Sequence, residues 1–269
     1  MDEPDGRGIL FPGRLPTFHR EPAPPDLAGL VRWCWLPRWD LPDGVVSRQE
    51  VLPFPASNVV VEPGGVRLHG PSTRVSHRDL AGTGWAVGLL LRPAAWSSLP
   101  GTPAAVRDAS VPLPAPGLVT ALRRALAVDV EEEGRQRAVA AVTGWARDRL
   151  APPDEGGLLA DAFEDLVAGD RTVVRVEQAA DRLGVTVRAV QRLAQQYIGV
   201  PPLAVIRRYR LQEAAHRLRE DPAVTIASVA ADLGYADQAH LSADFRQVLG
   251  RAPRDYRRDA ADPGVPEEG

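Results

Sequence analysis

The spacing of apolar residues predicts a β-rich region in the first part of the chain. Between Leu30 and Leu91, short apolar runs recur roughly every 10 to 15 residues and are separated by proline and glycine turns. The clearest runs are LVRWCWL, SNVVVE and GWAVGLLL. This spacing favours antiparallel strands over alternating strands and helices, which need longer connections. We therefore expect a β-sandwich or a β-barrel here.

A helical period begins after Pro116. Apolar residues then recur every three or four positions, as in amphipathic helices. The residues concerned are Leu118, Leu122 and Leu126, followed by Val139, Val142, Ala146 and Leu150. This pattern predicts two helices, whose apolar faces fit either the internal core or the interface of a homodimer. Both alternatives stay open at this point.

The last part of the chain contains an approximate internal duplication. Its first copy is VEQAADRLGVTVRAVQRLAQQYIGVPP and its second is IASVAADLGYADQAHLSADFRQVLGRAP. Each copy predicts a helix, a glycine turn and a second helix, and we expect that second helix to be one residue longer in the second copy. Leu183 and Gly184 lie fifty residues before Leu233 and Gly234. Two such units favour DNA binding over an ordinary helical hairpin.

A long helix is predicted between the two copies, over the segment PPLAVIRRYRLQEAAHRLRE. At 1.5 Å per residue, about 18 residues span roughly 27 Å. Successive major grooves lie about 34 Å apart on one face of DNA, so this spacer suits two recognition helices carried by one chain. Such a protein can recognise an asymmetric site without the symmetry of a dimer.

These patterns together predict an α+β fold in several domains. Residues 1–115 form the β-rich module, and residues 116–169 form linking helices that are a candidate dimerisation region. Residues 170–258 form an all-α domain of two helix-turn-helix units joined by the long helix. Residues 259–269 form an acidic tail.

The charge distribution supports a nucleic-acid partner for the helical domain only. The whole chain has 32 basic and 35 acidic residues, and its formal net charge is −3. Residues 170–258 carry 15 arginines against 10 acidic residues, whereas residues 1–169 carry 17 against 21. A local excess of arginine attracts DNA phosphates even when the net charge of the chain is negative. Phosphate contacts are expected from arginines of the long helix and of the end of the domain: Arg207, Arg208, Arg210, Arg251, Arg254, Arg257 and Arg258.

Composition excludes several other protein classes. The single cysteine, Cys34, cannot form an internal disulfide or a multi-cysteine metal site. No run of 18 apolar residues is present, and the N-terminus carries the acidic residues Asp2, Glu3 and Asp5 and no apolar stretch of the kind that an export signal contains. We therefore expect a cytoplasmic protein without a membrane partner.

Catalytic and metal-binding motifs are also missing from the sequence. In the β-rich region Glu62, His69 and His77 are the only plausible metal ligands, and they lack the close His-x-His pairing of a metal-binding barrel. No phosphate-binding loop, nucleophile elbow or HExxH motif occurs. We expect no cofactor, no metal and no enzymatic activity. An enzyme with a regulatory helical domain is the least favoured alternative.

The run SVAADLGYADQAHLSADFRQVLGRAPRDYRR carries the most specific motif. It resembles the signature of the DNA-binding domain of the AraC/XylS family of bacterial transcription regulators. The segment LGVTVRAVQRLAQQYIGVPP is similar to the first unit of that domain. It differs at Ala194, where the family usually has Phe, and at Gln195 and Gln196, which replace a commonly basic pair.

The resemblance implies DNA contacts from the second helix of each unit. In the first unit, Arg and Gln recur on one stripe and can pair with guanine and adenine edges in the major groove: Arg188, Gln191, Arg192 and Gln195. The second unit presents a different set: Gln238, Ala239, His240, Ser242, Ala243 and Arg246. Alanine can make only methyl contacts or allow close approach, so this unit is expected to discriminate less between bases.

Residues 15–113 resemble an uncharacterised N-terminal module that is often fused to such domains, through LAGLVRWCWL, VLPFPASNVVVEP, HGPST and VGLLLRP. In the AraC-like family a cupin-type barrel at this position commonly senses a small molecule. The resemblance implies a pocket lined by aromatic residues, with a polar side chain to orient the effector: Trp33, Trp35, Phe54 and Trp85, with Asn58 or His69. The alternative is ordinary core packing, in a module that mediates protein contacts only.

The partners implied are double-stranded DNA, an unidentified small-molecule effector and RNA polymerase, and the protein would act as an activator or a repressor.

Overall fold

The computed structural model describes residue 10, residues 17–128 and residues 130–261. The acidic residues near the start, and residues 262–269 of the predicted acidic tail, lie outside the described residues. The strands within the described part are β1 (Thr17–Pro22), β2 (Val31–Asp40), β3 (Val46–Val51), β4 (Asn58–Glu62), β5 (Gly65–His69), β6 (Ser76–Ala81), β7 (Thr83–Trp85), β8 (Val87–Leu91) and β9 (Ser110–Pro112).

The strands form two antiparallel sheets. The larger sheet has the order β1-β2-β8-β4-β5-β9, with β7 paired to β2, and the smaller sheet is the pair β3-β6. The α+β fold class and the β-rich N-terminal module are therefore confirmed. A closed barrel is not formed, because within the described residues the hydrogen-bond ladder ends at β1 and β9, which do not pair with each other.

One face of the larger sheet is covered by two helices, α1 (Leu118–Leu126) and α2 (Glu131–Arg149). Alternate strand residues on this face, such as Cys34, Val59 and Leu89, belong to the same apolar cluster as Leu122 and Val142. The apolar stripes of both helices are thus the internal core of the protomer. The Leu122 side chain is fully buried against the sheet of its own protomer, so it is not free to contact a second copy, and homodimer formation stays a prediction.

The remaining helices are α3 (Glu155–Gly169), α4 (Val176–Leu183), α5 (Val187–Leu193), α6 (Pro202–Glu220), α7 (Ile226–Asp232), α8 (Gln238–Leu249) and α9 (Pro253–Ala261). Helix α3 connects the sheet to this helical region. Its Asp161 accepts hydrogen bonds from the Arg92 guanidinium (2.9 Å) and from the backbone N–H of Ala94 (2.9 Å). No helix in the described part of the chain has the length and apolarity that crossing a membrane requires.

Candidate nucleic-acid interface

The first helix-turn-helix unit consists of α4, a short turn and α5. Helix α4 ends at Gly184, whose φ of 65° is the left-handed conformation that glycine adopts without strain. Thr186 caps α5, because its hydroxyl accepts a hydrogen bond from the backbone N–H of Ala189 (3.1 Å). Helix α5 continues into a π-helical turn, Ala194–Ile198, and ends at Gly199. Turn and caps thus fix where the exposed face of α5 begins.

The second unit, α7 and α8, is capped in the same way. The carboxylate of Asp237 accepts a hydrogen bond from the backbone N–H of His240 (2.7 Å), and α8 ends at Gly250 with a φ of 72°. The prediction of a longer second helix was wrong. Helix α8 has 12 residues, and α5 with its π turn has seven and five. The additional residue lies in the turn, between Gly234 and the cap.

Equivalent caps align the two recognition helices residue by residue. Cap Thr186 matches cap Asp237, so Val190 matches Leu241 and Ala194 matches Phe245, and these four core residues are all buried. The predicted DNA contacts then pair as Arg188 with Ala239, Gln191 with Ser242, Arg192 with Ala243 and Gln195 with Arg246. All are exposed except Ser242, which is half-buried. The structure therefore places both predicted sets on the outward face of their helices.

Two further predicted contacts lie at the start of α8. Gln238 and His240 are both exposed. The His240 ring packs edge-on against the Tyr235 ring, with 5.2 Å between centroids. The Arg210 guanidinium lies over the Tyr235 ring, 3.8 Å from the ring centroid. His240 is therefore held by packing within the second unit, whereas the exposed side chain of Gln238 is not held by a ring contact of this kind.

Several arginines predicted to contact phosphates are engaged elsewhere. Arg208 is only 5% exposed and donates to the backbone oxygen of Pro53 (3.2 Å). Burial lowers the pKa of the Arg208 guanidinium to about 10. Arg210, Arg251 and Arg257 donate within the protein as well, to Leu233, Glu50 and Val224 respectively. The exposed arginines of that group are Arg207, Arg254 and Arg258.

A segment of the N-terminal module, residues 50–56, contacts both helix-turn-helix units, and we call it the bridging segment. Both carboxylate oxygens of Glu50 accept hydrogen bonds from Arg251 Nη2 at 2.7 Å. The side chain of Leu52 is fully buried in the apolar cluster of the second unit, together with Phe245. The Leu52 backbone oxygen accepts a hydrogen bond from Gln212 on α6 (3.0 Å). No pattern in the sequence marks this segment as a contact of the helical domain, because its partners lie 160 and 201 positions away.

Phe54 of the bridging segment joins the sheet to α6. Its ring lies 5.0 Å from that of Trp33 on β2 and 5.8 Å from that of Tyr209 on α6. The Tyr209 hydroxyl donates to Glu164 (2.7 Å), and the same carboxylate pairs with Arg32 (3.0 Å). This junction is therefore a buried aromatic cluster that also contains an ion pair.

The pKa values at the junction follow from burial and from the ion pair. Burial raises the pKa of Tyr209 well above its ordinary value. For Arg32 burial acts to lower the pKa, but the Glu164 carboxylate overrides it and the pKa is raised. Both groups therefore keep one protonation state across the physiological range: neutral for Tyr209 and charged for Arg32.

The predicted effector-binding residues divide between the two faces of the larger sheet. The register opposes Trp33 to Leu90, Leu90 to Asn58 and Asn58 to His69, which places them on one face. Trp35 shares that face and donates its indole N–H to Asn58 (3.1 Å). Burial lowers the pKa of His69, and Arg67 and Arg78 lower it further.

Trp85 does not join this group. It pairs with Arg38 on β2 and packs against the cluster below α1 and α2. Trp33 and Phe54 fill the junction with the helical domain, so the packing alternative describes their environment in this structure.

A separate groove of about 400 Å³ lies between α2 and the β1–β2 connection, and none of the predicted effector-binding residues lines it. Its charged side chains are paired: Arg147 with Asp26 (2.6 Å) and Arg135 with Glu21. Within residues 17–128 and 130–261, and at residue 10, no group of three or more His, Cys, Asp or Glu side chains is arranged to hold a metal ion.

Comparison with known families agrees with this geometry. Residues 179–259 match a family described as "Helix-turn-helix domain". An AraC-like protein of Streptomyces lividans is 35% identical over 123 residues, which is 46% of this chain and 38% of that protein. The helical region is an AraC-type helix-turn-helix domain. Outside it, residues 19–112 match a "Domain of unknown function (DUF6597)". The resemblances stated from sequence are thereby confirmed.

The AraC-type domain also matches the HTH-type transcriptional activator RhaS of Escherichia fergusonii, with 39% identity over 88 residues. That alignment covers 32% of this chain and 31% of RhaS, so the chain spans well under half the length of both relatives. A solved AraC-type regulator from Chromobacterium violaceum shares 26% identity over 39% of this chain and 94% of its own, with a TM-score of 0.36. ToxT K231A from Vibrio cholerae shares 12% identity over 84% and 97%, with a TM-score of 0.47.

Proposed function

We propose that this protein is a sequence-specific transcriptional regulator of the AraC/XylS type whose partner is double-stranded DNA. The observation that carries the proposal is the exposed stripe of α5 and its π turn, which presents Arg188, Gln191, Arg192 and Gln195 at helical spacing. Arginine donates two hydrogen bonds to guanine and glutamine pairs with adenine in the major groove. Neither Arg188 nor Arg192 forms an ion pair with another described residue, so both remain available to bases.

The test is a substitution at the centre of this stripe. Selection of binding sites from random DNA with the full chain defines the site, and Arg192→Ala is then titrated against it. We expect a loss of about 1 to 3 kcal/mol, or about 5- to 150-fold, for the specific site, with non-specific binding largely retained. Arg124→Ala is the matched control, because Arg124 is exposed on α1, outside the helix-turn-helix domain. An equal loss on every DNA sequence would indicate a phosphate contact and contradict the assignment.

We propose further that the N-terminal module controls DNA binding in response to a small-molecule effector. As part of this proposal, the domain boundaries of the chain lie after residues 115, 169 and 258. Trp33, Trp35, Asn58 and His69 share one sheet face, and that face continues through Phe54 to Tyr209 on α6. An effector bound there would alter the packing of the helix that joins both units.

A ligand that binds only the folded state stabilises it, by about 2.7 kcal/mol at a concentration of 100 Kd. A screen of metabolites against the melting temperature of the full chain therefore tests this part of the proposal. We expect a stabilising compound whose effect is lost in Asn58→Ala and kept in Thr120→Ala, an exposed position on α1. If no compound stabilises the protein, the alternative gains support, in which the module mediates protein contacts only.

Contacts with RNA polymerase and the formation of a homodimer are also part of the proposed function. Sedimentation of the full chain tests the homodimer.

A further inference from the structure

The outward face of α8 is centred on two alanines. Its inward side chains are Leu241, Asp244, Phe245 and Leu249, all buried. Successive side chains of a helix are rotated by about 100° around its axis. The direction opposite to the mean direction of these four side chains lies within about 10° of Ala243 and about 40° of Ala239. Both alanines are exposed. The centre of the recognition helix is therefore occupied by two methyl groups.

The first unit carries arginine at the equivalent two positions. Because the N-caps Thr186 and Asp237 align, Ala239 matches Arg188 and Ala243 matches Arg192. Gln247 lies about 40° from the same direction on the other side, but there the first unit also has a glutamine, Gln196. The two helices thus differ in chemistry at the two central positions, and of the flanking positions Gln196 and Gln247 carry the same side chain.

Hydrogen-bonding side chains flank the two alanines, since Arg246 and Gln247 are exposed one turn after Ala243, but they do not occupy the two central positions. The His240 ring is held edge-on against Tyr235, and the Asp237 carboxylate is used as the helix cap. Ser242 is half-buried. In the major groove, the group that complements an alanine methyl is the C5-methyl group of thymine, which no other base carries.

We propose that the second unit selects thymine by packing Ala239 and Ala243 against thymine methyl groups, while the first unit recognises hydrogen-bonding edges through Arg188 and Arg192. This inference rests on the proposed function, since it assumes that α8 enters the major groove. It assigns different base preferences to the two halves of one binding site.

Replacement of thymine by deoxyuridine tests the proposal, because it removes the methyl group and leaves base pairing intact. The site selected by the full chain is substituted one thymine at a time. The half-site bound by the first unit is identified by the position at which Arg192→Ala relaxes the base preference. In the other half-site we expect about a fourfold rise in Kd per contacted thymine, from about 0.8 kcal/mol per buried methyl-sized group at 1.4 kcal/mol per tenfold.

Variants of the alanines make the test specific to these residues. In Ala243→Gly the ratio of Kd for deoxyuridine to Kd for thymine should fall to about one at the thymine that it contacts. Ala227→Gly is the control, because Ala227 is exposed on α7 of the same unit, and the ratio should stay unchanged there. Ala243→Arg reproduces the chemistry of Arg192, and we expect it to select guanine where the unmodified chain selects thymine.

The outcomes separate this inference from the function on which it rests. A selected site in which deoxyuridine binds as well as thymine throughout the second half-site overturns the methyl contact and leaves sequence-specific binding established. The same holds if Ala243→Gly keeps the discrimination of the unmodified chain. If no DNA sequence is enriched either by the full chain alone or by the full chain with a compound that stabilises it, both the proposed function and this inference are wrong.

Discussion

The burial of Leu52 in the bridging segment predicts how much stability the protein loses when this side chain is truncated. This residue follows β3 of the N-terminal module, yet its side chain is 0% exposed and lies in the apolar cluster formed by α6, α7, α8 and α9. Leu52→Ala removes three carbon atoms from that cluster and leaves a cavity. Substitutions of this kind cost about 2 to 5 kcal/mol, according to how far the surroundings collapse. We expect about 3 kcal/mol here, because Gln212 holds the backbone of Leu52 in place.

Thermal unfolding of the full chain measures this loss. For a protein of this size, 1 kcal/mol corresponds to about 2 to 4 °C, so Leu52→Ala should lower the melting temperature by about 6 to 12 °C. The matched control is Leu158→Ala on α3, because Leu158 is 53% exposed and its truncation should change the melting temperature by less than about 2 °C. If Leu52→Ala behaves like Leu158→Ala, the segment does not contribute to the core of the second unit, and the reasoning from its burial is refuted.

Three further predictions concern other parts of the molecule. Burial, aided by the Glu21 carboxylate, raises the pKa of Cys34 to about 12. A thiol reagent at pH 8 should therefore modify Cys34 only after the protein unfolds. Labelling of the native protein at the rate of a free thiol would contradict this expectation. Burial raises the pKa of Asp161 from 3.8 to about 6. Between these pH values the folded state therefore binds more protons than the unfolded state, and the free energy of unfolding falls as the pH rises, by at most about 3 kcal/mol. Denaturant unfolding at several pH values should show this fall, and Asp161→Asn should remove it; an unchanged slope in that variant argues against the assignment. Arg207 is exposed on α6, so Arg207→Ala should reduce the slope of log K against log salt by about one for every DNA sequence, whereas a sequence-dependent effect would count against a phosphate contact.

The helix-turn-helix units could be predicted closely because their signals are local. Buried Val190 and Leu241 lie on one face at helical spacing, and the exposed stripes follow on the opposite face. The glycines that end α4 and α5 have positive φ, so their positions in the sequence mark the turns directly. The one error, a longer second helix, arose because the number of residues between Gly234 and the cap cannot be obtained from periodicity.

The junction could not be predicted because its contacts are remote in sequence. Glu50 and Arg251 are separated by 201 positions, and Leu52 lies 160 positions from Gln212. Alternation along β3 shows that a residue is buried, but it does not identify the element that covers it. The same limit explains Arg208: a helix of 19 residues rich in arginine does not reveal which face meets the N-terminal module.

Helix α6 is the element through which the module can act on both units. Its first half contributes Ile206 and Tyr209 to the cluster of the first unit, and its second half contributes Leu211 and Leu218 to the cluster of the second. The bridging segment contacts α6 where these halves meet, at residues 208, 209 and 212. A ligand can shift DNA affinity only by the difference in its own affinity for the two states, commonly about 1 to 3 kcal/mol. Because one helix belongs to both clusters, a displacement at this point would change the relative position of the two recognition helices. We therefore expect an effector to change affinity for the complete site more than affinity for either half-site alone.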